Sequence, residues 1–419
     1  MNQTSEGERV VVVGAGIIGI ACAHFLSRAG FQVTVIDKGT VAGECSKSNC
    51  GYICPSHVLP LPQPSAIREA LVSILNPRAA FRVKPRISPA FWNWLWQFAA
   101  RCNDNQMKFA GGHLKALLDS SMLEYRKLVS ELQVDVQWKD SGLLYVFQTS
   151  SGMTQFEKTD QLLSEEFGVS ARRIGGSELP TVDPALKSGL AGGFLYEDDS
   201  YVEPALLSKA WSQSLTEKGV TFIENCAFRS IEKAHGRVTH VVTDVASLPA
   251  DHVVIAAGAW SAEFAQTLGC RIPIEPGKGY SITMKSPELR PRYPMLLPEH
   301  HVGVTPFEDS FRLGSMMEFV GFDESIPRHR IEQLKKSAEP YLVEPHTEVV
   351  VQEWFGWRPM TWDSLPIIGR VPGIDNAYLA TGHNMLGMSL APGTGKLITE
   401  ILQEKTTHID SSAFTPARF

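Results

Sequence analysis

The sequence predicts an α/β fold class, α+β overall, in which a largely parallel sheet is interleaved with a second, mixed or antiparallel sheet. Two observations lead to this prediction. A strand, a glycine-rich turn, a helix and a second strand follow one another between residues 10 and 37, an order typical of parallel sheets. Short segments with strand character between residues 279 and 320 favour antiparallel pairing instead.

The first unit is a βαβ motif of the Rossmann-like kind. The buried strand at residues 10–13 runs into Gly14-Ala15-Gly16-Ile17-Ile18-Gly19, which opens a helix that extends to Gly30. A second strand at residues 31–36 ends at Asp37. Such a glycine turn lets backbone N–H groups approach a pyrophosphate, and the terminal acid accepts from a ribose hydroxyl. The motif predicts a bound dinucleotide without telling which one.

The remaining elements alternate between the two sheets. We predict helices at 114–132, 204–218 and 393–402, and strands at 142–147, 192–196, 220–223, 238–243 and 377–381. The strand at residues 253–258 reads as the last strand of the nucleotide-binding sheet. The predicted nucleotide-binding domain comprises 1–60, 203–278 and 346–419, and the predicted substrate domain comprises 61–202 and 279–345.

The region from residue 56 to 110 has a different character. Six prolines break it into short helical segments, and residues 88–100 (SPAFWNWLWQFAA) are rich in aromatic side chains. Such a stretch docks on a membrane surface, lines a substrate entrance or, most commonly, packs in a core. Peripheral membrane contact is therefore one of three alternatives.

The composition points to a globular protein with a small-molecule partner. The 419 residues are 43% hydrophobic and carry a net charge of −6, so the chain can bury a core and form two or three domains. No basic tract predicts nucleic-acid binding, and no apolar stretch of about 18 residues predicts a spanning helix. Because the N-terminus lacks the features of a signal peptide, we expect a cytoplasmic protein, either free or peripheral on the inner face of the membrane.

The seven cysteines form an odd, scattered set that argues against a disulfide framework. Cys45, Cys50 and Cys54 are close in sequence, but no fourth residue stands at ligand spacing. We therefore predict no metal site. Cys45 and Cys50 are expected to be buried packing groups.

Several motifs, in this order, carry a resemblance to a known family. Besides the βαβ start, they are residues 44–51 (ECSKSNCG), 253–258 (VVIAAG), 276–281 (PGKGYS), 356–370 (GWRPMTWDSLPIIGR) and 382–387 (GHNMLG). Together they resemble the D-amino-acid dehydrogenase branch of the glycine oxidase and D-amino-acid oxidase flavoproteins, over nearly the whole chain. The resemblance implies FAD, held non-covalently because residues 356–370 contain neither cysteine nor histidine.

The cofactor residues follow from the motifs read together with this resemblance. Hydroxyl and amide groups after the ribose acid are expected to hold FAD phosphates or the flavin, and N–H groups around 385–389 to face its N1 and O2. Structural turn residues are the alternative for the individual side chains. The predicted set is Gly14, Gly16, Ile17, Ile18, Gly19, Asp37, Lys38, Ser46, Asn49, Gly51, Tyr52, Gly258, Trp260, Gly382, Met385, Leu386, Gly387 and Met388.

Three residues are candidates for the substrate site. Arg358 lies between Trp357 and Pro359, and a guanidinium binds a carboxylate with two charge-assisted hydrogen bonds. The alternative is a structural ion pair. Tyr280 is expected to hydrogen-bond the same carboxylate, and His383 to contact flavin or substrate; either is alternatively a satisfied structural residue. Glycine oxidase carries a second arginine where this chain has Met385, so glycine is not the expected substrate.

The implied reaction moves a hydride from the substrate Cα to flavin N5, and water then hydrolyses the imine to a 2-oxo acid and ammonia. The resemblance implies D-amino acids, D-proline-type imino acids included, with electrons passed to a quinone or another carrier. An oxygen-using amino-acid or sarcosine-type oxidase is the alternative within the family. An NAD-dependent dehydrogenase and a non-catalytic or tRNA-modifying flavoprotein are the alternatives to an FAD-dependent amino-acid oxidoreductase.

Overall fold

A computed structural model describes residues 7–64, 66, 67 and 81–419 of the chain. The prediction of short, proline-broken helices over 56–110 therefore falls partly outside the described residues. The described α-helices are α1 (Ile17–Arg28), α2 (Pro89–Ala100), α3 (Asp104–Glu131), α4 (Ser150–Phe167), α5 (Leu179–Val182), α6 (Pro204–Glu217), α7 (Ala265–Leu268), α8 (Arg328–Ala338) and α9 (Gly387–Leu402).

The described strands are β1 (Arg9–Val13), β2 (Gln32–Ile36), β3 (Tyr52–Ile53), β4 (Phe81–Val83), β5 (Leu143–Phe147), β6 (Arg172–Gly175), β7 (Gly192–Tyr196), β8 (Ser200–Tyr201), β9 (Thr221–Ile223), β10 (Phe228–Ala234), β11 (Arg237–Thr243), β12 (Ser247–Pro249), β13 (His252–Ile255), β14 (Ile274–Lys285), β15 (Met295–Leu297), β16 (Val302–Pro306), β17 (Ser310–Phe319), β18 (Val350–Thr361), β19 (Ile367–Arg370) and β20 (Ala377–Thr381). A 3-10 helix at Gly258–Phe264 follows β13.

A six-stranded sheet carries the N-terminal βαβ motif. Its order is β19-β20-β13-β1-β2-β9, and every neighbouring pair is parallel except β19 with β20. Four of the five residues of β1 are buried, because both faces of the sheet are covered. Val10 and Val12 pack in one cluster with residues of α1 and α9, and Val11 and Val13 pack in another with residues of β10 and β11. The predicted parallel sheet is thus present, but β13 lies beside β1 in its interior and is not its last strand.

The second large sheet is mixed and mainly antiparallel. Its order is β18-β14-β17-β16-β15-β5-β7-β6, with β4 added to β17 in parallel. The long strands β14 and β18 pair over almost their full length, so that Gly277 lies opposite Arg358 and Ser281 opposite Trp354. This register decides which side chains share a face of the sheet.

The strands of the six-stranded sheet come from three separate parts of the chain, with segments of the second sheet between them. β18 lies within the predicted 346–419 nucleotide-binding segment and yet pairs in the second sheet. The domain boundaries themselves stay a prediction.

Two helices extend further towards the N-terminus than the sequence predicts. α3 begins at Asp104 rather than near residue 114, because Asn103 caps it by accepting from the Gln106 N–H. α9 begins at Gly387 rather than near residue 393, although it contains Pro392. Pro392 has no N–H for the Met388 carbonyl one turn earlier, and the Tyr125 hydroxyl donates to that carbonyl instead at 2.7 Å. This earlier start brings the N-terminus of α9 to the wall of a large cavity.

Candidate active site

A cavity of about 710 Å³ lies where the two sheets meet. Its walls come from the carboxyl ends of β1, β2 and β13, the N-termini of α1 and α9, the loop at residues 44–52 and one face of the second sheet. Nearly all the predicted site residues line it. The exceptions in the predicted set are Gly19 and Gly382, which do not line the cavity.

The three glycines of the first turn have different tasks. A Cβ on Gly14 would lie 2.5 Å from the Ala256 carbonyl oxygen, and one on Gly19 would lie 1.8 Å from the Gly14 carbonyl oxygen. These two positions are closed by the protein's own backbone. A Cβ on Gly16 would meet only the Ser46 Oγ, at 3.4 Å. At Gly16 the absence of a side chain therefore leaves space for a ligand in the cavity and is not required by the protein's own backbone.

Asp37 stands at the end of β2, where the motif predicts it. Its two carboxylate oxygens accept from the Ala15 and Gly39 N–H groups at 2.7 and 2.8 Å. Because each oxygen has a second lone pair, the carboxylate can still accept from a ribose hydroxyl. Beside it, the Lys38 Nζ lies 3.6 Å from the centre of the Trp260 ring, which places two further predicted residues at this end.

The loop at residues 44–52 is held mainly by hydrogen bonds to other elements of the fold; on the second sheet, for example, Ser281 Oγ donates to the Ser48 carbonyl and Thr305 Oγ1 to the Cys50 carbonyl. Ser46 Oγ accepts from the Ile17 N–H at 2.9 Å, at the start of α1. The Asn49 amide is engaged within the loop, since it donates to the Cys45 carbonyl and accepts from the Gly51 N–H. Asn49 also lines the cavity, and its predicted role towards the cofactor stays a prediction. Gly51 has a φ of +73°, and a Cβ there would lie 2.0 Å from the Val202 carbonyl oxygen, so its close approach is to the chain itself.

Two thiols lie beside this loop. Cys45 donates to the Trp357 carbonyl oxygen, and burial raises its pKa to about 12. Burial raises the pKa of Cys50 as well. Both are protonated at neutral pH, as packing groups are, and neither is an activated nucleophile. Among the described residues, no group of histidine, cysteine and acidic side chains is arranged to hold a metal.

Arg358 extends from β18 into the cavity. Its Nη1 donates to the Met316 carbonyl oxygen at 2.8 Å, and within the described part of the chain no acidic side chain forms an ion pair with it. Burial lowers the pKa of Arg358, although a guanidinium remains charged at neutral pH. An enclosed cation without a carboxylate partner is costly, so the geometry calls for an anionic ligand. The structural ion pair that the sequence left open is not formed with any of the residues that the structure describes.

Tyr280 lies on the wrong face of the sheet for the predicted role. It pairs with Phe355, whereas Gly277 pairs with Arg358, and an odd separation along a strand turns side chains to opposite faces. Its hydroxyl donates to Glu318 Oε2 in the core behind the sheet. Tyr280 is therefore corrected from a substrate-binding residue to a buried structural one.

His383 and Tyr52 are also engaged by the protein. His383 is 2% exposed, its Nε2 lies 2.9 Å from Thr394 Oγ1, and burial lowers its pKa to about 3. His383 is thus neutral and hydrogen-bonded within the protein, but it lines the cavity, and its predicted contact with flavin or substrate stays a prediction. The Tyr52 hydroxyl lies within 3.0 Å of the Met295 and Val304 carbonyl oxygens, so its ring lines the cavity while its polar end is satisfied.

The segment between the end of β20 and the start of α9 forms the remaining wall of the cavity. Gly382 has a φ of +72°, and a Cβ there would lie 2.7 Å from Thr361 Cγ2, so it is corrected to a turn residue. Met385, Leu386, Gly387 and Met388 all line the cavity at the start of α9. The N–H groups of this first turn carry the positive end of the helix dipole.

Sequence reasoning missed one group of cavity residues. His57 Nε2 lies 2.7 Å from the Tyr145 hydroxyl, and Leu114 and Phe156 line the cavity nearby. They come from a loop, β5, α3 and α4, which no local motif connects. Only the buried apolar positions of α3 gave a signal, and it indicated a core.

Residues 9–401 match the sequence model of DAO, the FAD-dependent oxidoreductases. The chain belongs to this family. Its cofactor is FAD, and the protein is an FAD-dependent oxidoreductase, as the resemblance implied.

Individual relatives agree over almost the whole length of this DAO-family chain. D-amino acid dehydrogenase of Vibrio vulnificus (strain CMCP6) is 30% identical over 400 residues, 94% of this chain and 95% of that protein. Glycine oxidase from Geobacillus kaustophilus has a TM-score of 0.80 at 20% identity, covering 98% of this chain and 99% of that one. L-proline dehydrogenase from P. horikoshii has a TM-score of 0.75 at 19% identity, covering 99% and 98%. These two structures show the shared fold.

The residues of the oxidoreductase fit FAD. The open side of Gly16 at the N-terminus of α1 suits a pyrophosphate, and the spare lone pairs of Asp37 suit a ribose. From there the cavity continues past Gly258 to Arg358 and the start of α9. One continuous space thus joins the dinucleotide end to the buried cation.

Proposed function

We propose that this enzyme oxidises D-amino acids at the Cα–N bond: primary amines are deaminated through the imine, and D-proline-type imino acids are oxidised to the cyclic imine without loss of ammonia. Arg358 carries the proposal: it is a buried guanidinium in the cofactor cavity with no carboxylate of its own among the described residues. An amino acid supplies that carboxylate. The D configuration is supported by the name of the Vibrio relative.

Arg358 would bind the substrate carboxylate through the nitrogen atoms that Met316 does not use. Bound FAD supplies a hydride acceptor at its N5. Arg358 would hold the amino acid by its carboxylate, which limits the directions in which the Cα–H can point. The N–H groups in the first turn of α9 would donate to the negative charge of the reduced flavin.

The chain offers no strong base near Arg358 among the described residues. His383 is neutral and already hydrogen-bonded, and the thiols of Cys45 and Cys50 are protonated. The substrate amine therefore loses its proton to water before the hydride leaves. This agrees with a reaction in which the cofactor performs the redox chemistry and the protein orients the substrate.

We propose that FAD is held non-covalently. Residues 356–370 contain no cysteine or histidine, and the raised pKa values of Cys45 and Cys50 leave no thiolate for a flavin link. Acid precipitation is expected to release the yellow colour into the supernatant. Colour retained in the washed pellet would contradict this.

The electron acceptor is proposed to be a quinone or another carrier, met at a peripheral membrane contact on α2. Phe91, Trp94 and Phe98 pack in the core, while the side chains of Trp92 and Trp96 are 49% and 66% exposed. Exposed tryptophans suit a membrane interface. Among the helices that the structure describes, none is both long and apolar enough to cross a bilayer.

The product assay tests the function. Purified holoenzyme with a D-amino acid and a quinone or dye should form a 2-oxo acid and ammonia in equal amounts. Formation of peroxide in air, without activity towards quinones or dyes, would instead identify an oxidase. Co-sedimentation with lipid vesicles tests the contact, and the double variant Trp92→Ala/Trp96→Ala should remain in solution.

A further inference from the structure

The loop at residues 44–52 lies across the cavity face of the second sheet, and its contacts follow the order of the strands. Cys45 at its start donates to the Trp357 carbonyl on β18, and Tyr52 at its end donates to carbonyls of β15 and β16. The residues between them contact β14, β17 and β16 in turn. The loop therefore bridges five neighbouring strands.

One cross-strand row on this face, which we call the polar row, lies beneath the loop. Residues that pair across neighbouring strands point to the same face, and the register aligns Gln352 on β18, Thr283 on β14, Arg312 on β17 and Thr305 on β16. The last three are buried, with no more than 4% of their surface exposed. Buried polar groups need hydrogen-bond partners, and the loop supplies them to Gln352, Arg312 and Thr305.

Three consecutive carbonyl groups in the middle of the loop each accept a hydrogen bond from a side chain of the sheet. The pairs, donor first, are Ser281 with Ser48 at 2.9 Å, Arg312 with Asn49 at 2.6 Å and Thr305 with Cys50 at 2.8 Å. Of the three donors only Arg312 is charged. Because charge-assisted hydrogen bonds are stronger than neutral ones, Arg312 provides the strongest of these three contacts.

Arg312 connects the loop to two further elements. Its Nε donates to Thr283 Oγ1 at 2.9 Å on β14, and its Nη2 lies 3.5 Å from Glu203 Oε1. Glu203 in turn caps α6 by accepting from the Leu206 N–H, and α6 packs against α1. The planar guanidinium makes these contacts in three fixed directions at once, which a lysine cannot do.

The same loop forms one wall of the space around Arg358. A Cβ on Gly356 would lie 3.0 Å from Cys45 Sγ. A Cβ on Gly279, which pairs with Gly356, would lie 2.2 Å from Arg358 Nη1. The Cys45 thiol and the head of Arg358 are therefore neighbours on the sheet, and a shift of the loop would move this wall.

We propose that Arg312 is a positioning residue for the oxidation: it fixes the loop between the dinucleotide end of the cavity, where Ser46 accepts from the Ile17 N–H, and the wall beside Arg358. The inference rests on the proposed function, because the reaction being aligned is the oxidation of an amino acid held by Arg358. Arg312 does not line the cavity and acts through the loop. Arg358 has its own anchor, the Met316 carbonyl, so loss of Arg312 should disturb alignment more than substrate binding.

Anaerobic stopped-flow mixing of FAD-loaded enzyme with the D-amino acid that reduces the wild type fastest separates these two effects. The limiting rate of flavin reduction reports alignment, and its concentration dependence gives the substrate Kd. Arg312→Met should lower the limiting rate at least about tenfold, since a misplacement of about 1 Å can cost roughly a hundredfold, and should leave the Kd nearly unchanged. Arg312→Lys keeps the charge without the fork and should recover only part of the rate.

Limited proteolysis reports on the loop without any substrate. Lys47 is exposed in the middle of the loop, and trypsin cleaves after lysine. In the holoenzyme, well below its Tm, Arg312→Met should be cut at Lys47 faster than the wild type. FAD titration of the apoprotein should show weaker binding as well, because the released loop carries Ser46 away from α1.

Thr305→Val is the milder variant, since it conserves shape and removes only the hydrogen bond to the Cys50 carbonyl. It should lower the limiting rate in the same direction as Arg312→Met, but less. Thr243→Val is the matched control. Thr243 is also buried in a strand and its hydroxyl donates to a carbonyl, that of Ala246, but it does not line the cavity or contact the loop. This control should keep the wild-type rate.

The outcomes separate the two proposals. If no D-amino acid reduces the wild-type flavin, the proposed function fails, while proteolysis and FAD titration still test Arg312. A wild-type limiting rate in FAD-loaded Arg312→Met and Thr305→Val would overturn the inference, and so would unchanged cleavage at Lys47. A lower Tm with unaltered rate and cleavage would make Arg312 a structural residue only.

Discussion

Replacement of Arg358 separates a ligand-binding arginine from a structural one. Arg358→Ala removes the charge, and Arg358→Lys keeps the charge but loses the planar fork. In the folded chain the guanidinium makes one hydrogen bond, to the Met316 carbonyl, and no ion pair with a described residue. The other N–H groups of the guanidinium are therefore available to a ligand.

The expected loss is large because the interaction is enclosed. Truncating one member of a buried, hydrogen-bonded charge pair costs about 3 kcal/mol or more, which is roughly a hundredfold in kcat/KM. Dye-linked turnover under anaerobic conditions measures this, with FAD content checked by absorbance. Arg328→Ala is the control, since the Arg328 side chain is 67% exposed and pairs with Glu332 and Glu353 at the surface.

Thermal unfolding distinguishes the two roles further. A structural ion pair predicts a clear fall in Tm for Arg358→Ala, whereas an arginine awaiting a substrate carboxylate predicts little change, because an uncompensated buried charge is lost with it. Wild-type turnover in Arg358→Ala would refute the substrate-binding role.

Three further changes test other parts of the site. Asp37→Ala should weaken FAD binding by about 1–3 kcal/mol through lost hydrogen bonds, and unchanged affinity on titrating apoprotein would remove Asp37 from the site. Gly16→Val should fold yet fail to bind FAD, whereas Gly14→Ala should destabilise even the apoprotein, because its Cβ meets the Ala256 carbonyl; equal behaviour in circular dichroism and FAD titration would contradict this. Asp199 is buried beside Ser56, and burial raises its pKa from 3.8 to about 7. Between about pH 4 and pH 7 the native state therefore binds this proton more tightly than the unfolded chain does, and the free energy of unfolding falls as the pH rises. Asp199→Asn should therefore gain up to roughly 4 kcal/mol relative to wild type between pH 4 and pH 8, and an equal difference at both pH values would exclude it.

The N-terminal motif was predictable because its signals are local. Strand, turn, helix and terminal acid lie within residues 10–37, and the same residues make the contacts, such as Asp37 with the Ala15 N–H. The start of α9 was missed because Gly387, Pro392 and Gly393 read as helix breakers, while tertiary packing favours the helix there.

The face of Tyr280 was not predictable from the sequence. It depends on the register that puts Gly277 opposite Arg358, and register between strands some 80 residues apart leaves no local signal. The same holds for the His57–Tyr145 contact at the cavity wall, which joins residues 88 positions apart. Arg358 was predicted from its position between Trp357 and Pro359, from guanidinium chemistry and from the family resemblance, and the structure adds that it is a buried cation lining the cavity.

Anaerobic mixing of the holoenzyme with single amino acids tests the central claim most directly. At least one D-amino acid should bleach the visible flavin bands, while its L-enantiomer should not, and Arg358→Ala should slow the bleaching about a hundredfold. Flavin that stays oxidised with every D-amino acid, or that is reduced by L-enantiomers alone, would contradict the account.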